Sequence, residues 1–546
     1  MRLLILVSFF LIPGILTAQI TDNNIQSAQK LFELDFSRSE RDSLAPNLHE
    51  QLEAYEELRG VSLPNSVVPA MQFQVLPRGF TPATRQNPID WNFPEEVAVP
   101  DNREKLAFYS VAELSVLIRE QKITSVELTQ IYLDRIKKHG DSLRCVVSLT
   151  EDWALERAAL ADEELSHGIY RGPLHGIPYG VKDLLATPVF KTTWGAMPYK
   201  DQVIDETATV VRKLDEAGAV MVAKLSMGAL AWGDVWFEGT TRNPWNPEQG
   251  ASGSSAGSAS ATAAGLVAFS IGTETLGSIV SPSTRCGLTG LRPTYGRVSR
   301  HGAMALSWSM DKIGPICRSA EDCALVFDVI RGVDPRDLSL TKAAFNYDPT
   351  IQLSELRIGY LAEEFETFGY NRAKDSATLA VLEELGAELI PISLPDDLPV
   401  SAMTTILSVE AATAFDVLTR TNQDDLLVRQ IRNAWPNVFR AARFVPAVEY
   451  LMANRARTLL QENMHETMQQ VDVLVCPTFG GNQLALTNLT GQPCVVVPNG
   501  ATPGQDVNSI TFLGNLFDEA TILTVARAYQ EATEWEELHP PLFNVQ

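Results

Sequence analysis

From Leu106 onward the chain alternates amphipathic stretches with short, almost wholly apolar runs, and few folds accept that rhythm. "TATVVRKLDEAGAVMVAKLSM" passes from helical spacing into an apolar strand, and "AGLVAFSIGTET" is another buried strand. "GPLHGIPYGVKDLL" supplies a short strand that ends at a Lys-Asp pair. "VDVLVCPT" and "PCVVVPNG" repeat the pattern near the end, and a helix, "DEATILTVARAYQEAT", follows. Strands that are apolar on both faces must be covered on both, so the pattern predicts an α/β sheet between helices. Ahead of it, "SVAELSVLIREQKITSVELTQIYLDRIKKHG" predicts two helices, introduced at Ser110 and Ser125 in the manner of a capping box. "EDWALERAALADEELSHG" predicts a third helix, and residues 351–468 read as a largely helical insertion or cap.

The ends of the chain have a different texture. In "MRLLILVSFFLIPGILTAQITDNN" one Arg precedes an apolar run, and Thr17-Ala18-Gln19 offers a small-residue cleavage point. The run is short of the ~20 residues a membrane span needs, and Pro13 and Gly14 interrupt it. Residues 1–18 therefore read as a signal peptide, which predicts export to the periplasm or the medium with no membrane segment after cleavage; an uncleaved anchor is the alternative. Residues 19–105 form an extension with two helical stretches and a Pro-rich segment, expected to wrap the body rather than to serve as a partner-binding arm. The body itself runs over residues 106–546. A formal charge of -23 excludes a nucleic-acid surface. Six scattered cysteines without a CxxC pair signal no metal site; Cys317 and Cys323 either pair or stay as buried thiols.

Three residues stand out chemically: Lys182 at a strand end, Ser254 inside "GASGSSAGSASATAAG" (residues 250–265), and Ser278 directly after a strand. Singly they say little, since a Lys at a strand end is ordinarily a solvated cation and a Ser in a Gly-rich loop a turn residue. The letters "GSSAG" also fit a G-x-S-x-G elbow, which would make Ser255 the nucleophile of an esterase. That elbow requires a strand before it, where "RNPWNPEQGA" reads as a loop. It also requires a downstream His, and His301, His465 and His539 stand in no suitable context.

Taken in order, "HGIPYGVKD", "RNPWNPEQGASGSSAGSASATAAG", "GTETLGSIVSPSTRCGLTGLRPTYGRVS", "DKIGPICRS" and "NLTGQPCVVVPNG" resemble the amidase signature family, from about Leu106 to Gln546. The resemblance implies a large, mixed, twisted β-sheet flanked by helices, and hydrolysis of a carboxylic amide through an acyl-enzyme. It implies no metal and no organic cofactor, with a small-molecule amide as partner and the oligomeric state, a homodimer included, left open. Residue by residue it makes Lys182 the base, Ser254 the bridging serine after a cis Gly253–Ser254 bond, and Ser278 the nucleophile. Backbone N–H groups of Thr275, Leu276, Gly277 and Ser278 would form the oxyanion hole. The chemistry is coherent. A serine hydroxyl needs a neighbouring base, and lysine serves only when burial keeps its amine neutral. Small residues in the bland loop let the backbone bend closely and let the following helix press on the sheet.

The chain departs from the family pattern at Ser252, Ala256 and Leu276, each standing where glycine is usual. Leucine avoids positive φ, so Leu276 implies either an ordinary torsion or an altered oxyanion hole, and is expected to narrow the acyl pocket. If it instead disables the site, the chain is an amidase-like binding protein. A glutaminase subunit of a tRNA amidotransferase is a further member of the same family, against which the signal peptide stands. His175, Asp183 and Cys286 read as structural. Primary amides, anilides, peptide C-terminal amides and small oligoamides all remain as substrates.

Overall fold

The computed structural model describes residues 20–367, 371–501 and 507–545, so the expected signal peptide, 1–18, lies outside the described residues. Residues up to Pro64 cluster as one unit and those from Asn65 as another. In the first, helices Asp22–Leu31 and Arg38–Arg59 open with reciprocal capping boxes at Thr21/Asn24 and Ser37/Glu40. The longer helix buries none of its residues.

The second unit is built on eleven strands: β1 (Val146–Leu149), β2 (Pro178–Lys182), β3 (Val220–Leu225), β4 (Phe269–Glu274), β5 (Thr289–Arg292), β6 (Lys312–Cys317), β7 (Arg357–Leu361), β8 (Glu388–Ile392), β9 (Val473–Pro477), β10 (Cys494–Ala501) and β11 (Val507–Gly514). They lie side by side as β1-β3-β2-β4-β6-β5-β10-β11-β9-β7-β8. The sheet is mixed. β3, β2 and β4 run parallel, as do β9, β7 and β8, while the centre is antiparallel. Every residue of β2, β3, β4, β6 and β9 is buried, as strands covered on both faces require. Helices make the crossovers: Thr209–Glu216 leads from β2 to β3, and Ala256–Ala263 precedes β4. No helix among the described residues is long and apolar enough to cross a membrane.

Some local readings are corrected. Ser110 caps its helix as expected, but the next cap falls on Thr124, whose hydroxyl accepts from the Glu127 N–H at 3.0 Å. Ser125 is inside that helix and donates to the Gly176 carbonyl. "RNPWNPEQGA" is not a plain loop, since Arg242–Asn243 pairs with Asn246–Gly250 as a small hairpin. Residues 351–468 hold, besides their helices, the strands β7 and β8, of which β8 is the edge of the sheet. All six cysteines are buried and free. Residues 65–100 run largely without regular structure over the body, with Val75 and Val97 buried in it.

Candidate active site

Parallel pairing sets the location. Because β2 lies beside β4 in parallel register, with Val181 opposite Ile271, both strands end at the same edge of the sheet, where open α/β folds place their sites. Lys182 is the last residue of β2 and is fully buried. Its Nζ donates to Ser254 Oγ at 2.8 Å, Thr273 Oγ1 at 2.8 Å, Ser255 Oγ at 3.0 Å and the Thr273 carbonyl at 3.4 Å. Burial brings the Lys182 ammonium down to about 7, against the opposing pull of Asp311 and Glu274. The neutral amine is therefore abundant at neutral pH, held by hydroxyl groups.

The loop between the hairpin and the helix Ala256–Ala263 brings Ser254 to that amine. The Gly253–Ser254 peptide bond is cis. A side chain at residue 253 would put its Cβ 1.8 Å from the Gly233 carbonyl oxygen, and one at residue 257 would come within 2.4 Å of the Ser226 nitrogen. Ser226 follows the end of β3, so the small residues allow the helix to seat directly against the sheet. All eight residues of that helix are buried. Ser252 takes the positive φ of +61° with a non-glycine side chain, and its hydroxyl meets that of Ser281 at 2.7 Å.

Ser278 follows β4 by a short turn and is 7% exposed. Its carbonyl accepts from the Ser255 N–H at 3.2 Å, which joins the two serine loops through the backbone. No hydrogen bond links the hydroxyls of Ser278 and Ser254 among the described residues. The turn's positive φ, +85°, falls on Gly277 and not on Leu276, so the leucine takes an ordinary torsion. Leu276 is half-buried; neither it nor Lys182, Ser254 or Ser278 is among the residues that line the large cavity nearby. The N–H groups of Thr275, Leu276, Gly277 and Ser278 have no acceptor among the described residues.

Sequence reasoning missed the groups that hold this turn. Glu274 accepts from the Ile279 and Val280 N–H groups at 2.8 and 3.0 Å, from Arg292 at 2.9 Å and from Asn488 at 2.9 Å. Burial alone would raise its carboxyl, but Arg292 and these donors hold it down to about 2. Asp311 accepts from the Thr275 hydroxyl at 2.6 Å and from the Leu306 and Ser307 N–H groups. Thr273 anchors Lys182 with two oxygens. The family-like run "GTETLGS" contains Thr273 and Glu274, but only the paired strands reveal what they face.

Ser255, the elbow alternative, is fully buried. Its hydroxyl donates to the Thr273 carbonyl and accepts from the Thr273 N–H, both at 3.1 Å. His301 pairs with Glu206, His465 with Gln469, and His539 stacks on Phe108, so none serves Ser255. Asp183 points away from its neighbour Lys182. It sits 3.4 Å from Lys224 and accepts from the Thr193 N–H, as a structural residue does. His175 hydrogen-bonds the Ala161 carbonyl, and Cys286 packs in an apolar cluster. Among the described residues no three His, Cys, Asp or Glu side chains come together as a metal set.

The site is a buried lysine among hydroxyls at the strand ends of a large mixed sheet, and the comparisons with known proteins supply its family. The amidase family model matches residues 127–523, and the chain belongs to that family. It is 32% identical over 481 residues to a glutamyl-tRNA(Gln) amidotransferase subunit of Coxiella burnetii, covering 79% of this chain and 99% of that protein. The corresponding protein of Chloroflexus aurantiacus is 34% identical, with 77% and 96% covered. Among solved structures, native peptide amidase from Stenotrophomonas maltophilia superposes with a TM-score of 0.72 at 30% identity, over 81% of this chain and 100% of that one. An amidase family protein from Bacillus anthracis gives 0.71 at 27% identity, over 80% and 93%. The chain is thus an amidase-signature enzyme acting on carbon–nitrogen bonds.

Proposed function

We propose that the protein hydrolyses a linear carboxylic amide to the acid plus ammonia or an amine. The observation that carries this reading is the buried Lys182 amine held 2.8 Å from Ser254 Oγ. Neutral Lys182 takes the Ser254 proton while Ser254 takes that of Ser278, and Ser278 Oγ attacks the carbonyl carbon. A C–O bond forms, the carbonyl electron pair moves onto oxygen, and the N–H groups of Thr275, Leu276, Gly277 and Ser278 receive the charge. Collapse breaks the C–N bond, the relay returns the proton to the leaving nitrogen, and water releases the acid by the same route. Since Ser254 and Ser278 are not hydrogen-bonded to each other, the relay calls for the two hydroxyls to close on each other when substrate binds.

On the same reading residues 1–18 are a cleaved signal and the enzyme works in the periplasm or the medium on a small amide. A second reading, ammonia release from glutamine within a multisubunit amidotransferase, is favoured by the names of the Coxiella and Chloroflexus proteins and by the length over which they align. The leader stands against it. The test is a screen of amides, esters and glutamine with purified chain beside Ser278→Ala. Turnover of several amides by the chain alone, lost in the variant, supports the first reading. Turnover of glutamine only supports the second, and turnover retained in the variant removes Ser278.

A further inference from the structure

A cavity of about 870 Å³ opens beside the lysine site, and Thr273 and Thr275 both belong to its wall. A volume of this order accepts a drug-sized molecule. One side of the cavity is made by residues 65–78 of the extension, which lie outside residues 127–523 matched by the family model. This segment is fastened at both ends. The Asn65 side chain pairs with the Ala305 backbone through two hydrogen bonds, 2.8 and 2.7 Å. Val75 is 3% exposed in a cluster with Tyr295, Leu516 and Phe517. Phe73 stacks edge-on against Tyr295 at 5.1 Å with the Arg457 guanidinium 3.4 Å from its ring centre. Between these clamps residues 66–72 span the cavity, and there the packing stops: Val68 is 46% and Met71 66% exposed although both line it.

The lining also says what it would accept. Arg300 pairs with Asp337 and Arg336 with Asp334. Arg457 is spent on Ser309 and the Leu489 carbonyl. Glu410 accepts from Ser307, Ser309 and Tyr450. Lys312 donates to the Met310 carbonyl, and burial brings its ammonium down to about 7. Arg78, whose side chain is 90% exposed, lies 3.8 Å from Glu462. A charged substrate thus meets groups that already have partners, whereas an apolar group finds Val68, Met71 and Leu338, which is 74% exposed and also lines the cavity. Exposed apolar side chains gathered at a cavity mouth mark a surface meant to be covered.

We propose that residues 66–72 form a strap that gives this enzyme its substrate preference, selecting uncharged amides that carry an aromatic or long aliphatic group. The proposal rests on the amidase reading and concerns its substrate class. The strap would cover the apolar part of the substrate through Val68 and Met71, while the amide carbon lies toward Thr273 and Ser278.

The test pairs two measurements in the full-length mature chain. First, kcat/KM is measured for butyranilide and for acetamide in wild type, Val68→Asp, Met71→Glu and, as a surface control, Val189→Asp, which is 71% exposed and does not line the cavity. Second, binding of butyranilide is measured by calorimetry with each strap substitution placed in Ser278→Ala. The strap substitutions should lower the anilide-to-acetamide ratio at least tenfold and weaken anilide binding by a similar factor, with the control unchanged. A ratio and an affinity that stay within twofold would overturn the strap. If no amide is turned over by any form while anilide still binds in a strap-dependent way, the amidase reading falls and the strap site stands. No turnover and no strap-dependent binding removes both.

Discussion

Replacing Lys182 by methionine keeps the length of the side chain and removes the titrating amine, so its effect on stability has a calculable pH dependence. The amine titrates at about 7 in the fold against 10.5 when free. Between these two pH values the unfolded chain holds a proton that the folded chain has shed, so wild-type stability rises with pH across that window. Integrated between pH 7 and pH 9, the two values give a gain of about 2 kcal/mol in the wild type. Lys182→Met has no such gain. It does lose the hydrogen bonds to Ser254, Ser255 and Thr273, at about 1 kcal/mol each, but that loss is the same at every pH. The stability of the variant relative to wild type should therefore fall by about 2 kcal/mol from pH 7 to pH 9 and be flat below pH 6. Urea unfolding at pH 5.5, 6, 7, 8 and 9 measures it. A difference that does not change between pH 7 and pH 9 would refute a depressed lysine at this position and, with it, the base.

Other consequences follow from the same geometry. kcat/KM for an amide should rise tenfold per pH unit below about pH 7 and level off above pH 8, as the neutral amine accumulates. Lys312→Met should keep that rise even though Lys312 is also brought down to about 7 by burial; a profile that moves with Lys312 instead would reassign the titrating group. Gly253→Ala forces a carbon to within 1.8 Å of the Gly233 oxygen, so turnover should drop by at least a hundredfold in steady-state assay, and near-normal turnover would contradict the placement of this loop. Glu274→Gln leaves Arg292 buried without its counter-charge, and urea unfolding should show a loss of about 3–5 kcal/mol with turnover reduced through the loosened Ile279 and Val280 N–H groups.

Much of this arrangement is legible in the residues, for reasons that differ by element. The strands Pro178–Lys182 and Phe269–Glu274 overlap "GIPYGV" and "GLVAFSIG", mostly apolar stretches that open at glycine and are too short for helices, so length and composition identify them. Lys182, Ser254 and Ser278 are marked by motifs, and the glycines at 253 and 257 by the bareness of their surroundings. The strands "TGLR" and "VNSITFLG" are not legible. They carry polar or small residues whose burial comes only from neighbours far away in sequence: Gly290 lies opposite Ile316 and Val496, and Thr511 opposite Cys476 and Val496. The ties of Glu274 to Arg292 and Asn488, 18 and 214 residues away, leave no local trace either. Leu276 reads as a change of pocket shape because side-chain size is visible in a sequence, whereas the torsion that moves the positive φ onto Gly277 is not.

The site is tested most directly by finding which oxygen carries the acyl group. Chain mixed with an amide substrate and quenched in acid during turnover can be digested and mapped by mass spectrometry. The adduct is predicted on the peptide containing Ser278, at that residue, and should be missing from both Ser278→Ala and Lys182→Met. An adduct on Ser255, or the same labelling of Ser278 with Lys182 removed, would contradict the relay from buried amine through Ser254 to nucleophile.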